Sequence, residues 1–253
     1  MIGTGTGVVL ILLVTILIGA TMQRVSGMGL GLVGGPVVSL LLGPVEGILV
    51  INVLAVVNAT IVTATTWRNI DLRKFLLVGS TLVVGAVPGA IVVREFSPDL
   101  LQVVVGSLLL IALGVVTFGL RWVPTPHGRA PALISGAIGG FMNTLAGIAG
   151  PAITVYAQAA RWDQRVYAAT LKPLFVVAGF ISVVIKLVTG AGDLTVVNPW
   201  LWPAGLVGML LGIWAGTRLS RHIPRDKAHA LALALAALGG LTVLIRGASG
   251  LLS

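Results

Sequence analysis

Two stretches of this chain, Gly27 to Gly43 and Gly136 to Pro151, are too rich in glycine for plain transmembrane helix, yet they lie among segments that only a bilayer accommodates. The first reads Gly27-Met-Gly-Leu-Gly-Leu-Val-Gly-Gly-Pro36 and the second Gly139-Gly-Phe-Met-Asn-Thr-Leu-Ala-Gly-Ile-Ala-Gly-Pro151. Irregular backbone at membrane depth survives only where protein or water satisfies its amides and carbonyls. Two such breaks at matching places in two halves therefore point to a shared cavity, the signature of a transporter.

The 253 residues are 57% hydrophobic and 9% charged, with a mean hydropathy of +1.08, outside the range of soluble globular proteins. The net charge of +9 is carried by basic residues scattered singly between apolar runs, so no nucleic-acid surface is expected. The chain holds no cysteine, which excludes disulfides and thiolate metal sites. Residues 7–20 have the apolar core of a signal peptide without a basic stretch before them, and are expected to be a retained segment.

Six apolar runs, 46–66, 75–93, 100–120, 166–189, 197–217 and 228–245, suffice to cross a hydrocarbon core of roughly 30 Å. Two longer ones, 7–42 and 130–160, contain the glycine breaks and exceed one simple pass. If each broken element returns to the side it came from, loops 67–74, 121–129, 161–165 and 218–227 share one face with eleven basic residues, against two, Arg94 and Arg246, on the other. If each crosses once, the count becomes six against seven. The positive-inside rule selects re-entrant hairpins, cytoplasmic basic loops and both termini outside.

A half with one hairpin and three spans crosses an odd number of times, so the second half is inverted. The expected fold is an all-α integral membrane protein of two inverted-topology repeats, 1–120 and 130–253, joined by a cytoplasmic linker at 121–129. Matching pairs support this: Gly35-Pro36 with Gly150-Pro151, and Gly85-x3-Gly89 with Gly208-x3-Gly212. The latter two pairs are read as small-residue packing positions.

The breaks supply the candidate site. Gly34, Gly35 and Pro36, with Gly147, Gly150 and Pro151, are expected to bring backbone close to substrate, because a helix starting at a break aims unpaired N–H groups at an anion. Asn143 and Thr144 beside the second break are candidates for hydrogen bonds. Asn52 and Asn58 read first as links between helices. Of the basic residues outside the loops, Lys172 before Pro173 and Arg24 before the first break are candidate anion ligands, whereas Lys186 is expected to snorkel from the outer end of its helix. Glu46 follows Pro44 at a helix start and reads as a macrodipole partner. All seven carboxylates fall near predicted boundaries, and neither a metal cluster nor a cofactor is expected.

The Gly-rich opening of each half, the Gly-Gly-Pro and Ala-Gly-Pro endings, the basic central linker and the length together resemble the TauE/SafE sulfite exporter family, the TSUP permeases. The resemblance spans nearly the whole chain. It implies a plasma-membrane carrier for small sulfur-containing anions such as sulfite, sulfoacetate or other organosulfonates, often in export. A chain without cysteine departs from redox-linked thiosulfate importers, so cysteine-assisted uptake is disfavoured. The sequence leaves two other readings open, an anion channel built on the same site and an intramembrane enzyme, for which no nucleophile, base and metal-ligand set stands out.

Overall fold

The computed structural model describes residues 5–27, 29–118 and 126–252. Eleven α-helices are present among them: α1 Thr6–Ser26, α2 Gly35–Leu42, α3 Pro44–Thr66, α4 Leu72–Gly79, α5 Leu82–Glu95, α6 Pro98–Phe118, α7 Ala130–Ala146, α8 Gly150–Ala159, α9 Gln164–Val188, α10 Leu201–Leu219 and α11 Arg225–Leu252. A five-residue π-turn, Leu30–Gly34, leads into α2. Arg121 and Pro124 of the expected linker lie outside the described residues.

Six helical segments are long and apolar enough to cross a membrane: Thr6–Ser26, Pro44–Asn69, Leu72–Glu95, Pro98–Phe118, Gln164–Val188 and Lys227–Leu252. The chain is a multi-pass membrane protein. Three details of the expected spans emerge. The first arm of the 7–42 element, at 21 residues, is itself of span length, and only its return arm is short. The expected span 197–217 begins at Leu201, and its four glycines, Pro203 and Trp202 keep α10 below the hydropathy of the other six. The expected run 75–93 is bent at Ser80–Thr81, where the Thr81 hydroxyl donates to the Leu133 carbonyl of α7 at 2.7 Å.

Glycine sets which helices approach closely, because without a Cβ two backbones can touch. Gly208 rests on the carbonyl of Leu13, Gly212 on that of Leu17 and Gly216 on that of Thr21, so α1 and α10 run parallel. Gly136, Gly140 and Gly89 do the same between α7 and α4/α5: position 78 meets 136, 82 meets 140 and 89 meets 144, again parallel. The Gly85/Gly89 and Gly208/Gly212 pairs are thus packing positions, as their spacing indicated. Between α6 and α11 the order reverses: Gly106 meets Gly240 and Leu244, while Gly247 meets Asp99 and Gln102. α3 and α9 are also antiparallel, since Asn52 bonds Ser182 whereas Asp71, just past α3, donates its amide to Thr170. Outward-facing Leu10, Ile111, Ile138, Phe180 and Leu210 leave an apolar surface that lipid covers.

Both broken elements fold back on themselves. After α1, Leu30 lies against Gly19, and after α7, Ala149 and Ile153 lie beside Gly139. The loop face is locally ordered. The Asp71 carboxylate caps α4 by accepting the Lys74 amide at 3.0 Å, which holds its pKa below the usual carboxylate value. Asp71→Ala is expected to cost about 1 kcal/mol in a denaturation measurement at neutral pH. Because the folded-state pKa is depressed, that difference is present above the unfolded value of about 3.9 and vanishes as pH falls through the folded one.

Candidate functional site

Each long arm ends in the same local device. Gly27 adopts φ +90° and returns its N–H to the carbonyl of Gln23, four residues back. Gly147 adopts φ +71° and returns its N–H to the carbonyl of Asn143, also four back, at 2.9 Å. A left-handed residue at this position turns the chain sharply away from the helix, and glycine adopts that conformation without a Cβ penalty. Eight positions separate Gly27 from Gly35-Pro36 but three separate Gly147 from Gly150-Pro151. The difference equals the five residues of the π-turn.

The two breaks meet. Gly31 packs its Cα against the carbonyl of Gly147, and a Cβ on Gly35 would sit 3.1 Å from the carbonyl oxygen of Ala146. Beside this contact lies a small cavity of about 40 Å³ lined by Gln23, Gly29 and Gly31 from the first break, by Asn143 and Gly147 to Pro151 from the second, and by Asn52, Ala55 and Phe175. Its size suits a small oxyanion or a few waters. Gln23 accepts the Leu30 amide at 3.0 Å on its side-chain oxygen, which fixes the amide group at the cavity wall. Asn143 donates to the Asn52 side-chain oxygen at 3.0 Å, and Asn52 donates to Ser182 of α9 at 2.9 Å. Asn52 therefore both links helices and lines the cavity. α8 begins at Gly150, so the amides of Gly150 and Ala152 have no intrahelical acceptor.

A second space of about 180 Å³ leads towards the loops at Thr66 and Gln164, lined by Gln23, Arg24, Gly27, Asn58, Tyr167 and Lys172 among others. Gln23 belongs to both spaces and stands between them. Lys172 donates to the Gly27 carbonyl at 3.1 Å, and Arg24 donates from Nε to Thr217 at 3.1 Å. Asn58, read as a helix link, lines this vestibule, with no hydrogen-bond acceptor for its Nδ2 among the described residues.

The candidate residues thus divide. Asn143, Gly147, Gly150 and Pro151 line the cavity, while Lys172 and Arg24 line its vestibule. Four lie elsewhere. Gly34 packs on Ile51 and Pro36 on Gly239, while Gly35 meets the Ala146 carbonyl at the edge of the junction, because the π-turn sets Gly31 rather than Gly34-Gly35 against Gly147. Thr144 is fully buried, bonds back to the Gly140 carbonyl at 3.0 Å and faces Gly89 of α5. Gln23 lines the cavity without any glycine-break signal of its own, yet it stands four residues before Gly27 as Asn143 stands before Gly147. Lys186 does not snorkel: it is fully buried.

The cavity and vestibule offer amide donors and two cations, with no carboxylate among their lining residues. No metal-ligand cluster is present among the described residues. Such a wall favours a small anion over a cation. A larger groove of about 520 Å³ between α6, α7 and α8 is walled almost wholly by apolar side chains, including the outward-facing Ile111, Ile134 and Ile138. It suits a lipid chain rather than an ion.

Comparison with known proteins identifies a family. Neither the curated proteins nor the solved structures gave a match. Residues 2–243, nearly the entire chain, match the family described as Sulfite exporter TauE/SafE. The chain is therefore a member of the TauE/SafE family of membrane permeases.

Proposed function

We propose that this protein is a secondary transporter that exports small sulfur-containing anions, sulfite or an organosulfonate, across the plasma membrane by alternating access. The observation that carries the reading is the meeting of the two breaks at one cavity with amide donors and no acid. The proposed site comprises Gln23, Gly31, Asn52, Asn143, Gly147, Gly150 and Pro151, with Lys172 and Arg24 attracting the anion along the vestibule. Gly34, Gly35, Pro36 and Thr144 support it from behind.

Packing supports two inverted repeats, 1–120 and 130–253. Exchanging α1 with α7, α2 with α8, α3 with α9, α5 with α10 and α6 with α11 turns the α1–α10 contact into α7–α5 and the α2–α11 contact into α8–α6. The α3–α9 and α6–α11 contacts map onto themselves, and both pairs run antiparallel, as a twofold axis in the membrane plane demands. The vestibule opens among the basic loops, so by the positive-inside rule this conformation faces the cytoplasm and both termini lie outside.

The test is sulfite counterflow in proteoliposomes. A carrier shows saturation and counterflow, whereas a channel shows neither. Lys172→Ala is expected to raise the half-saturating sulfite concentration about tenfold or more, with Lys172→Arg close to wild type. Absence of binding or flux for sulfite, sulfoacetate and isethionate alike would overturn the reading.

A further inference from the structure

Among the described residues Lys186 is the largest fully buried side chain, at 0% exposure. Among those residues its Nζ has no hydrogen-bond partner and makes no ion pair. The charged group acting on it is Glu46 in the first turn of α3, too far away to form an ion pair. Burial without a partner makes the charged form of this amine costly, and basic groups buried inside membrane proteins mark ion pathways.

Its place on α9 gives the pathway. Positions 172, 175, 179, 182 and 186 follow a three-four-three-four spacing and share one helix face. Along that face Lys172 lines the vestibule, Phe175 lines the central cavity, Gly179 packs on Val56 and Asn52, Ser182 accepts from Asn52, and Lys186 comes last. The cavity thus has one lysine on each side. The Lys172 side communicates with the loop face through the vestibule. The Lys186 side is closed where Asn52 ties together α3, α9 and the tip of α7 through Ser182 and Asn143. Past that tie, Gly192 seats on Leu49, Val45 and the Lys186 stem.

We propose that Lys186 is a second anion site, the extracytoplasmic counterpart of Lys172: when the Asn52–Asn143–Ser182 tie opens, a small oxyanion leaving the cavity takes the ammonium as its counter-ion. The inference rests on the transporter reading above. In the closed state Glu46 gives Lys186 only distant compensation. In the open state the anion supplies the missing hydrogen-bond acceptor, and Glu46 at the helix start discourages it from staying. The two lysines then exchange roles, one reachable from each side of the membrane in turn.

Two measurements test it. Half-saturating sulfite concentrations are read from each face in oriented vesicles. Lys186→Met should raise the extracytoplasmic value about tenfold to hundredfold, the effect of losing a hydrogen bond to a charged group, and leave the cytoplasmic value within about twofold. Lys186→Arg should restore it, and Lys172→Ala should show the opposite asymmetry. Equal changes at both faces, or none, would overturn the assignment. The second measurement needs no transport. In this cysteine-free chain, Lys186→Cys should react with a membrane-impermeant maleimide only from the extracytoplasmic face and Lys172→Cys only from the cytoplasmic face. A cysteine at 186 that stays silent from both faces, or reacts from the cytoplasm, removes the outer site whatever the substrate. If wild type moves no sulfite while this labelling asymmetry holds, the substrate reading fails and the two-sided lysine arrangement stands.

Discussion

Gly31→Ala is expected to abolish sulfite counterflow and to lower stability by about 2–3 kcal/mol, the cost of forcing atoms into a close-packed junction. The new Cβ would fall on the carbonyl of Gly147, and a backbone oxygen cannot rotate aside as a side chain can. Relief requires the two breaks to separate, which would open the cavity wall formed by Gly31 and Gly147. Gly114→Ala is the control. It lies within α6 with nothing inside 4 Å of its added Cβ, and alanine there should stabilise the helix by about 0.5–1 kcal/mol. Melting curves and counterflow on both variants distinguish the two positions. A Gly31→Ala protein with wild-type flux would show that the meeting of the breaks is not part of the transport path.

The same pair explains what was legible in the sequence. Glycine density in an apolar chain announced both breaks, since each residue without a Cβ in a helix interior needs a reason, and both do fold into returning arms. Which glycine occupies the junction was not legible. Gly35-Pro36 aligns with Gly150-Pro151, but a five-residue π-turn intervenes, and a π-turn leaves no sequence period to read. Polar residues failed in two ways. Thr144 adjoins Asn143, yet one residue is about 100° around a helix, so its methyl faces Gly89 of α5 and its hydroxyl bonds back to the Gly140 carbonyl, while the Asn143 amide faces the cavity. Lys186 sits at the end of a span where snorkelling is the ordinary outcome, but the 189–200 loop returns over it through Ala191 and Gly192. Long-range packing of that kind is absent from local pattern. Gln23 was legible in principle through its offset of four from Gly27, shared by Asn143 and Gly147.

That offset sets up the test of the sign of the transported charge. Gln23→Glu preserves side-chain length and leaves an oxygen to accept the Leu30 amide, now bonded at 3.0 Å, so the melting temperature should change little. It also puts a carboxylate where vestibule and cavity adjoin. At about 5 Å and an effective dielectric of about 20, two like charges repel by about 3 kcal/mol. Half-saturating sulfite should therefore rise about a hundredfold. The deficit should deepen as pH rises and the introduced carboxylate ionises, a dependence that a packing defect does not produce. Gln23→Leu inverts the pattern. It removes the acceptor of the buried Leu30 amide, costing about 1–3 kcal/mol of stability, without adding charge. Anion uptake left intact in the Gln23→Glu protein at high pH would place the permeation path elsewhere, and enhanced uptake of a cation would reverse the assignment of substrate charge.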